Sequence, residues 1–376
     1  MLSKKRVEIL DTTLREGEQS RGVFFTLKQK IKIAEKLDEF GVDYIELGHP
    51  IASKSVFKAV STVASMGLKA QTFAHARAKK EDIDAVKKCA TKWVGIFSGI
   101  NKYSLKYRLH SNKQKAIRNI LDSVKYAKDI GLKVRFTCED ASRTNRNELI
   151  ELYSKAVEAG TDRISIADTI GILTPTKTQE LVNEIKKSVH ADIHVHFHND
   201  FGMAVANALV AYESGSRVID VTINGIGERA GMTSLAEVCI ALNQLYGIKK
   251  GWNFKLLPEL SKMVSNFTKS PIEYSRPIIG RNAFSHKGGI HCAAVLEDPK
   301  SYEPFSPKIL GTERTIIISK LIGKNGLEGV LKSYTNNNLS RIEVEKIINR
   351  LKNNGNKEFT ESEIKKAIKL VVKEKR

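Results

Sequence analysis

Several features that define specialised classes of protein are missing from this sequence. It contains four cysteines in 376 residues, widely spaced and without a Cys-x-x-Cys pair, so the cysteine framework of a small secreted domain is excluded. No segment reaches the roughly 20 consecutive apolar residues of a membrane span. The N-terminal basic residues precede only a short apolar stretch that ends at Asp11, so a signal peptide is not expected. These absences predict a cytoplasmic protein with reduced thiols and no membrane partner.

The sequence also lacks low-complexity segments, and its charge is one-sided. Apolar residues at 41% and charged residues at 28% are typical of a globular chain and exclude the disordered and collagenous classes. An excess of 62 basic over 42 acidic side chains gives a net charge of +20, which indicates an anionic partner. The lysines are spread along predicted helices among many Glu and Asp residues, without a basic stripe interleaved with aromatics. Nucleic-acid binding is therefore only a remote alternative. The excess is compatible with a small anionic partner, but most of it is expected to be solvated surface.

Short β-branched runs alternate with longer segments of helical period from residue 6 onward. This pattern predicts βα units and a parallel sheet. The predicted strands are 7–11, 44–47, 69–74, 93–97, 133–137, 163–167, 193–198 and 218–224. The helical stretches include 27–40, 113–130, 147–159, 175–189 and 204–214. Eight units match a (β/α)8 TIM barrel better than an open doubly wound sheet of five or six strands.

The alternation of strands and helices stops near Gly251. Residues 251–306 mix short helical pieces with prolines and glycines, which indicates a linker subdomain. Residues 307–376 are rich in Lys and Glu, and apolar residues recur at helical spacing within 342–351, which predicts a small helical domain rather than a disordered tail. The expected α/β protein therefore consists of a catalytic barrel over 1–250, a linker subdomain and a helical C-terminal domain.

Reactive side chains follow the first and seventh predicted strands, at the end of a barrel where active sites lie. His196 and His198 project to the same side because side chains alternate along a strand, and two such imidazoles can chelate one divalent ion. Glu16, which follows the first strand, is the natural third ligand. Two histidines and one carboxylate leave metal positions open, as in a catalytic site. The alternative of a chance His-x-His and a solvated Glu16 loses weight because Arg15 falls at the same rim.

Further polar side chains at the predicted rim suit an anionic substrate. They follow or end the third, fifth and sixth strands: His75, Arg135, Thr137, Glu139 and Thr169. A buried arginine beside a carboxylate is also often a satisfied ion pair, so Arg135 keeps that alternative, and Thr169 is equally consistent with helix capping. The glycine-rich loop 225–231 after the eighth strand can bring its backbone close to a phosphate or a pantetheine chain.

These motifs identify a family resemblance that spans about residues 7–320. The chain resembles the acyl-CoA-dependent 2-oxoacid condensing enzymes of the homocitrate synthase and isopropylmalate synthase family, within the wider group of metal-dependent barrel lyases. The first signature is Leu14-Arg15-Glu16-Gly17 with Gln19 and Lys30. The second is Val195-His196-Phe197-His198-Asn199-Asp200 followed by Gly202, and residues 225–231 and 285–291 are further family blocks.

The resemblance implies an acyltransferase reaction at a divalent metal, zinc, magnesium or manganese. The ligands would be Glu16, His196 and His198, and the metal would bind the 2-oxoacid through its carboxylate and keto oxygen. Arg15 would stabilise the negative charge that develops on that keto oxygen. The enolate of acetyl-CoA would attack the keto carbon, and thioester hydrolysis would make the reaction irreversible.

The resemblance also implies where the remaining catalytic groups and acetyl-CoA lie. His291 and Tyr302 would take part in acid–base steps from the neighbouring subunit of a homodimer, with Glu139 assisting. Acetyl-CoA is expected at the loop after the eighth strand, at Asn224, Gly225, Gly227, Glu228 and Arg229. All catalytic positions are intact, which disfavours a non-catalytic relative.

The acceptor 2-oxoacid is predicted from a few pocket positions. His75 and Arg135 match residues that homocitrate synthases use around the distal carboxylate of 2-oxoglutarate, and a buried second carboxylate needs such donors. Gln19, Thr137 and Thr169 complete the expected acceptor site. The resemblance therefore favours condensation of acetyl-CoA with 2-oxoglutarate to homocitrate, the first step of lysine biosynthesis by the aminoadipate route. Synthases of isopropylmalate, citramalate or a related acid remain alternatives.

Three more positions bear on this prediction. Met232 is apolar as in homocitrate synthases, where isopropylmalate synthases carry an Asn near the metal. Gly95 stands where similar homocitrate synthases carry an Asp implicated in contact with substrate and lysine, so lysine feedback inhibition is not predicted. The turn Gly48-His49-Pro50 also departs from the Thr- or Ser-rich turn of the family, and His49 is either a capping residue or an extra pocket group.

Overall fold

In a computed structural model of the chain, eight parallel strands close into a barrel in sequential order, which confirms the predicted (β/α)8 fold. β1 pairs with both β2 and β8 and so closes the sheet. The strands are β1 (Glu8–Asp11), β2 (Tyr44–Glu46), β3 (Gln71–Arg77), β4 (Trp93–Ser98), β5 (Lys133–Cys138), β6 (Arg163–Asp168), β7 (Asp192–Phe197) and β8 (Val218–Val221). The structure describes residues 6–287, 289–317, 329, 331, 339–353 and 361–373.

Helices follow the barrel strands and begin at recognisable capping signals. Thr26 and Gln29 form a reciprocal capping box at the start of α1, and Thr174 with Pro175 starts α6. The helices are α1 (Leu27–Phe40), α2 (Lys54–Ala64), α3 (Lys80–Lys88), α4 (Lys113–Asp129), α5 (Arg146–Glu158), α6 (Pro175–Ser188), α7 (Ala204–Ser214), α8 (Leu235–Gln244) and α9 (Leu257–Thr268). The five helices predicted from periodicity start and end within one residue of these bounds.

The chain divides into two units, Met1–Ile272 and Glu273–Arg376. Residues 251–272, which the sequence places in the linker subdomain, fall in the first unit because α9 packs on α1. The division of the remaining residues into a linker up to 306 and a helical domain from 307 stays a prediction. Within the described residues, no helix is long and apolar enough to cross a membrane.

The described residues of the second unit form helices and one two-stranded sheet. β9 (Ser285–His286) pairs in parallel with β10 (Thr315–Ile316). Among the residues described there, three helices accompany it: α10 (Gly289–Glu297), α11 (Arg341–Asn353) and α12 (Glu361–Lys373). Buried apolar side chains from all three helices form one core, which confirms the helical spacing seen in 342–351. All four cysteines of the chain are free and buried.

An ion cluster fills the N-terminal end of the barrel, beneath a layer of aromatic side chains. Glu8, which is 2% exposed, accepts hydrogen bonds from Arg163 Nη2 at 2.9 Å and from Arg217 Nη2 at 3.2 Å. Burial opposes the charge, but Arg163 and Arg217 lower the pKa of Glu8. The Arg163 guanidinium also lies 5.0 Å from the centres of the Tyr44 and Trp93 rings. Glu8 is therefore the counter-charge that allows an arginine to be buried in the barrel.

Glu8→Gln should destabilise the protein by about 3 kcal/mol, because it removes the nearer counter-charge of the buried Arg163 and leaves only Asp192, whose Oδ2 lies 3.8 Å from Arg163 Nε. Urea unfolding followed by circular dichroism measures this change in the free energy of unfolding. The matched control is Glu158→Gln at an exposed position of α5. Equal stability of the two variants would contradict a structural role for the cluster.

Asp11 at the end of β1 is a buried carboxyl group with one unused oxygen. Its Oδ1 accepts the Thr13 N–H at 2.8 Å, whereas Oδ2 has no hydrogen-bond partner among the described residues. Burial raises the pKa of Asp11 to about 7, although the bond from Thr13 opposes the shift. The unfolded chain releases this proton at lower pH, so Asp11 reduces stability progressively from about pH 4 to pH 7.

Asp11→Asn should therefore stabilise the protein more at pH 8 than at pH 5. Between pH 5 and pH 7, folded Asp11 holds a proton that the unfolded chain has released, so the free energy of unfolding of the unchanged protein falls by about 1.4 kcal/mol per pH unit. The stabilisation by Asp11→Asn should therefore be about 3 kcal/mol larger at pH 8 than at pH 5. Urea unfolding of both proteins at the two pH values gives the difference directly. Asp129→Asn, at an exposed position of α4, serves as control. A pH-independent effect of Asp11→Asn would show that the carboxyl is ionised throughout.

Candidate active site

A cavity of about 400 Å³ opens at the C-terminal ends of the barrel strands. Its wall combines side chains from the loops after β1, β2 and β8 with side chains of β3, β5, β6 and β7. Twelve of the residues predicted from the sequence line it: Arg15, Glu16, Gln19, His75, Arg135, Thr137, Glu139, Thr169, His196, His198, Glu228 and Arg229. The structure thus brings together the predicted metal and acceptor residues of the barrel.

Glu16, His196 and His198 form the three-residue cluster predicted to hold a metal. One ligand atom from each lies within 4.8 Å of the others, and all three side chains are buried. Glu16 is presented by the turn after β1, where its N–H donates to the Thr12 carbonyl at 2.7 Å. The loop after β8 supports it, because the Glu228 N–H donates to Glu16 Oε1 at 3.1 Å.

The protonation states of this cluster suit metal binding. Burial alone would raise the pKa of Glu16, but Arg15 and the two histidines lower it to about 2. Burial, together with His196, lowers the pKa of His198 to about 4. An ionised carboxylate and a neutral imidazole are the forms that ligate a divalent ion.

Arg15 links the cluster to a buried acid that the sequence analysis missed. It forms ion pairs with Glu16 and with Glu46, whose Oε2 lies 2.7 Å from Arg15 Nε. Glu46 is fully buried at the end of β2 and also accepts from Thr12 Oγ1 at 2.7 Å and Arg135 Nη2 at 2.8 Å. Burial alone would raise the pKa of Glu46, but the positive charges of Arg15 and Arg135 lower it well below its usual range. A carboxylate at the C-terminal end of a barrel strand is the signal that could have identified it.

Asp220 on β8 is a second acid that sequence analysis missed. Its Oδ2 lies 3.2 Å from His196 Nδ1 and 3.4 Å from Arg135 Nη1, and its Oδ1 lies 3.4 Å from His194 Nδ1. Burial opposes ionisation, but the histidines and Arg135 lower the pKa of Asp220. Because Asp220 forms a hydrogen bond with His196 Nδ1, His196 Nε2 remains available as a metal ligand.

Buried negative charge exceeds buried positive charge around the cluster. Three ionised carboxylates, those of Glu16, Glu46 and Asp220, face the guanidinium groups of Arg15 and Arg135. A divalent cation among Glu16 and the two histidines would compensate the remaining negative charge. The donor set and its charge therefore fit a divalent metal.

Arg135 and His75 form the wall predicted to bind the acceptor. Arg135 is 1% exposed and forms ion pairs with Glu46 and Asp220, as the ion-pair alternative predicts. It also lines the cavity. His75 stacks on Phe97 with ring centres 4.2 Å apart. Burial and the charge of Arg15 lower the pKa of His75 to about 4, so it is a neutral hydrogen-bonding group at physiological pH.

Gly95 on β4 explains why Arg135 takes this position. A Cβ atom at Gly95 would lie 2.6 Å from Arg135 Nη2 and 3.3 Å from Glu46 Oε1. Any side chain would displace the guanidinium from Glu46. Glycine at position 95 is therefore what allows the buried Arg135–Glu46 pair to form.

The other predicted acceptor residues differ in how they are engaged. Thr137 Oγ1 is buried without a hydrogen-bond partner among the described residues, so it can bind a ligand in the cavity. Thr169 Oγ1 accepts the Asp140 N–H at 2.8 Å rather than capping a helix. Gln19, with its amide turned to donate, lies 2.8 Å from Glu16 Oε2. Glu139 pairs with Arg108 from the π-helical turn Ser104–Leu109.

The glycine-rich loop after β8 supports the site in ways that the sequence did not predict. Asn224, Gly225 and Gly227 are not among the cavity-lining residues. Asn224 has φ 59° and binds Ser261 on α9 through both polar atoms of its amide, at 2.5 and 2.9 Å, so it anchors the loop. A Cβ atom at Gly227 would lie 3.3 Å from Glu16 Cγ, so glycine lets the loop pack directly on the cluster.

Two further predicted positions are engaged by neighbours. Arg229 lines the cavity but pairs with Asp200, with both contacts at 2.8 Å. His49 also lines the cavity, and its Nε2 lies 2.7 Å from Asp82 Oδ2. It is therefore an extra pocket group, one of the two interpretations of the unusual turn.

In the second unit, the structure brings together the two residues predicted to act from a neighbouring subunit. The rings of His291 and Tyr302 stack with centres 4.0 Å apart and planes inclined by 26°. Both side chains are exposed, Tyr302 by 44%. An imidazole and a phenol held together at a surface form a pair of groups that can exchange protons with a ligand.

The fold and the site define a class of protein, a (β/α)8-barrel enzyme whose active site is built around residues that can hold a metal. Residues 6–264 match the HMGL-like family, and residues 278–358 match the homocitrate synthase post-HMGL domain-like family. The chain belongs to the HMGL-like family, and within it to the homocitrate synthase and 2-isopropylmalate synthase group, which confirms the resemblance seen in the sequence. It is an acetyl-CoA-condensing enzyme of the transferase type.

Relatives of both specificities are about equally similar. The chain is 44% identical to the homocitrate synthase of Pyrococcus horikoshii over 86% of this chain and 89% of that protein. It is 42% identical to the probable 2-isopropylmalate synthase of Methanopyrus kandleri over 94% of this chain and 70% of that protein. Among solved structures, an HMG-CoA lyase from Bacillus subtilis matches with a TM-score of 0.66 and 20% identity over 73% of this chain and 98% of that chain. That likeness concerns the fold alone.

Proposed function

We propose that this enzyme condenses acetyl-CoA with 2-oxoglutarate and hydrolyses the thioester to give homocitrate and free CoA. The observation that carries the proposal is the cavity wall formed by Arg135 and His75 in the same cavity as Glu16, His196 and His198. A dicarboxylate needs a second polar anchor away from the reacting carbonyl. The Arg135 guanidinium supplies hydrogen-bond donors of that kind, whereas the single N–H of a neutral His75 is directed at Glu46, which lies 3.3 Å from His75 Nδ1.

Glu16, His196 and His198 would hold the divalent metal. When bound, the metal supplies Lewis-acid polarisation of the keto group and a fixed position for the acceptor carboxylate. Arg15 carries a permanent positive charge beside the ligand Glu16, and its role is to stabilise the negative charge that develops on the keto oxygen. Burial of Glu46 beneath Arg15 fixes the direction of that guanidinium.

The acid–base steps need a group that removes a methyl proton from acetyl-CoA and a group that protonates the new alkoxide. We assign them to His291 and Tyr302, with assistance from Glu139. The stacking of His291 on Tyr302 supports a shared role, because the two rings are held side by side at a surface. The new carbon–carbon bond gives homocitryl-CoA, and water then cleaves the thioester, releasing the CoA thiol.

We also propose that a homodimer completes the active site in trans. Large apolar side chains are exposed on the loops around the cavity mouth, where a second copy would cover them. They are Phe24, Ile51, Tyr103, Tyr107, Ile172 and Phe201. A homodimer in the cytoplasm that serves the aminoadipate route of lysine biosynthesis is the physiological form that this function implies.

A second candidate function is the synthesis of 2-isopropylmalate. The similarity to the Methanopyrus kandleri protein favours it, and so do the apolar side chains Leu14, Val56 and Phe97 in the cavity wall. An isopropyl group would contact such a wall without needing Arg135. The two functions therefore predict opposite preferences between a second carboxylate and a branched alkyl group.

The test is thiol release from acetyl-CoA by the metal-loaded enzyme with 2-oxoglutarate, 2-oxoisovalerate and pyruvate. We expect kcat/KM for 2-oxoglutarate to exceed the values for 2-oxoisovalerate and pyruvate by about 10³-fold or more. These two acids have no second carboxylate and would leave buried hydrogen-bond donors of the cavity wall without a partner. Omission of the metal should stop turnover with every acceptor. Preference for 2-oxoisovalerate or pyruvate would overturn the assignment of 2-oxoglutarate.

A further inference from the structure

His194 is the third histidine of an alternating run on β7, and the proposed function does not use it. Side chains of His194, His196 and His198 share one side of the strand because they are two residues apart. His194 is fully buried one layer below the cluster and does not line the cavity. It is thus a polar core residue directly behind the predicted metal ligands.

The contacts of His194 determine which of its nitrogens carries the proton. Arg163 Nη1 lies 3.5 Å from His194 Nε2. A guanidinium has donors only, so Nε2 must be the acceptor. The proton of a neutral ring therefore sits on Nδ1, which lies 3.4 Å from Asp220 Oδ1 and donates to it.

The same argument continues from Asp220 to the cluster. The second carboxylate oxygen, Oδ2, lies 3.2 Å from His196 Nδ1. An ionised carboxylate only accepts, so Nδ1 of His196 carries a proton and Nε2 keeps its lone pair. A lone pair on Nε2 is what a metal ligand requires, and partners behind a ligand set this orientation.

We propose that His194 is a positioning residue for the metal site. Arg163 fixes its tautomer, His194 orients the carboxylate of Asp220, and Asp220 presents Nε2 of His196 to the metal. The inference rests on the metal site in the proposed function and is independent of which 2-oxoacid is used. The alternative is a satisfied core histidine that only fills space between Arg163 and Asp220.

Two isosteric variants separate these roles. His194→Asn can place an amide N–H near the position of Nδ1 and so retain the bond to Asp220. His194→Gln places its amide near the position of Nε2 and loses that bond. Both variants remove the ring and both alter packing. A space-filling role therefore predicts similar metal affinity for the two variants, whereas a positioning role predicts that only His194→Gln binds the metal more weakly.

The experiment measures the Kd of Zn²⁺ for the full-length protein by competition with a chromophoric chelator. We expect His194→Gln to weaken binding by about 10- to 100-fold and His194→Asn by no more than about 3-fold. The Co²⁺ absorption spectrum should change in the same variant only. His190→Gln, at an exposed position after α6, is the control. Equal Kd values for the Asn and Gln variants would overturn the inference.

A measurement on the unchanged protein covers the case in which a variant fails to fold. In ¹⁵N-histidine-labelled, Zn²⁺-loaded protein, long-range correlation spectra distinguish the two neutral tautomers. We expect the Nδ1–H form for both His194 and His196, and an Nε2–H form of His194 would overturn the inference. Failure of the unchanged protein to bind Zn²⁺ would instead contradict the proposed metal site, so the two failures are distinguishable.

Discussion

Glu16→Gln should remove the divalent metal from the protein and lower kcat/KM by about 10³-fold or more. The substitution keeps the shape of the side chain but replaces the only anionic ligand of the cluster with a neutral amide. Loss of Lewis-acid stabilisation is worth several kcal/mol, and each 1.4 kcal/mol corresponds to a factor of ten. Elemental analysis of the purified variant reports metal content, and thiol release from acetyl-CoA reports turnover.

The matched control for this prediction is Glu35→Gln, an acid at an exposed position of α1. Its metal content and turnover should equal those of the unchanged enzyme. Retention of one metal per chain and of ordinary turnover by Glu16→Gln would show that the metal, if any, is held elsewhere. In that case the cluster with His196 and His198 would be a hydrogen-bonded feature of the rim.

Arg135→Met should impair the use of 2-oxoglutarate about 100-fold more than the use of 2-oxobutyrate. The reason is that charge-assisted hydrogen bonds from a guanidinium to a carboxylate contribute about 1.5–3 kcal/mol, and 2-oxobutyrate has no second carboxylate to lose them. The measurement is the ratio of kcat/KM values for the two acceptors in each enzyme.

The ratio is needed because Arg135 also has structural contacts. Removing it leaves Glu46 and Asp220 with one donor fewer each, and this loss affects every acceptor alike. Arg135→Lys, which keeps the charge but not the two-pronged geometry, should give an intermediate ratio. Equal losses with both acceptors in Arg135→Met would show that Arg135 serves the ion pair alone.

Local patterns were sufficient to predict the barrel and the cluster of Glu16, His196 and His198. Strand and helix periods located the eight units, and capping residues such as Thr26 and Thr174 marked helix starts. The alternation of His196 and His198 and the rim position of Glu16 required only the known geometry of a barrel. Each of these inferences depends on residues close in sequence or on one general rule of the fold.

The acids that organise the site could not be predicted in this way. Glu46 and Asp220 each stand alone in a short strand, without a motif. Their importance comes from arginines on β5 and on the turn after β1, which only the closed barrel brings near. In the loop after β8, Asn224 is predicted to bind acetyl-CoA, and in the structure its amide anchors the loop to Ser261. For the two acids and for Asn224, contacts with residues far away in the sequence determine the role of the side chain.

The most direct test of the proposed function is a competition between two acceptors in one reaction. The metal-loaded enzyme receives equal concentrations of 2-oxoglutarate and 2-oxoisovalerate with limiting acetyl-CoA, and mass spectrometry quantifies the products. The proposal predicts homocitrate as the dominant product, in the ratio of the two kcat/KM values. A mixture dominated by 2-isopropylmalate would contradict it.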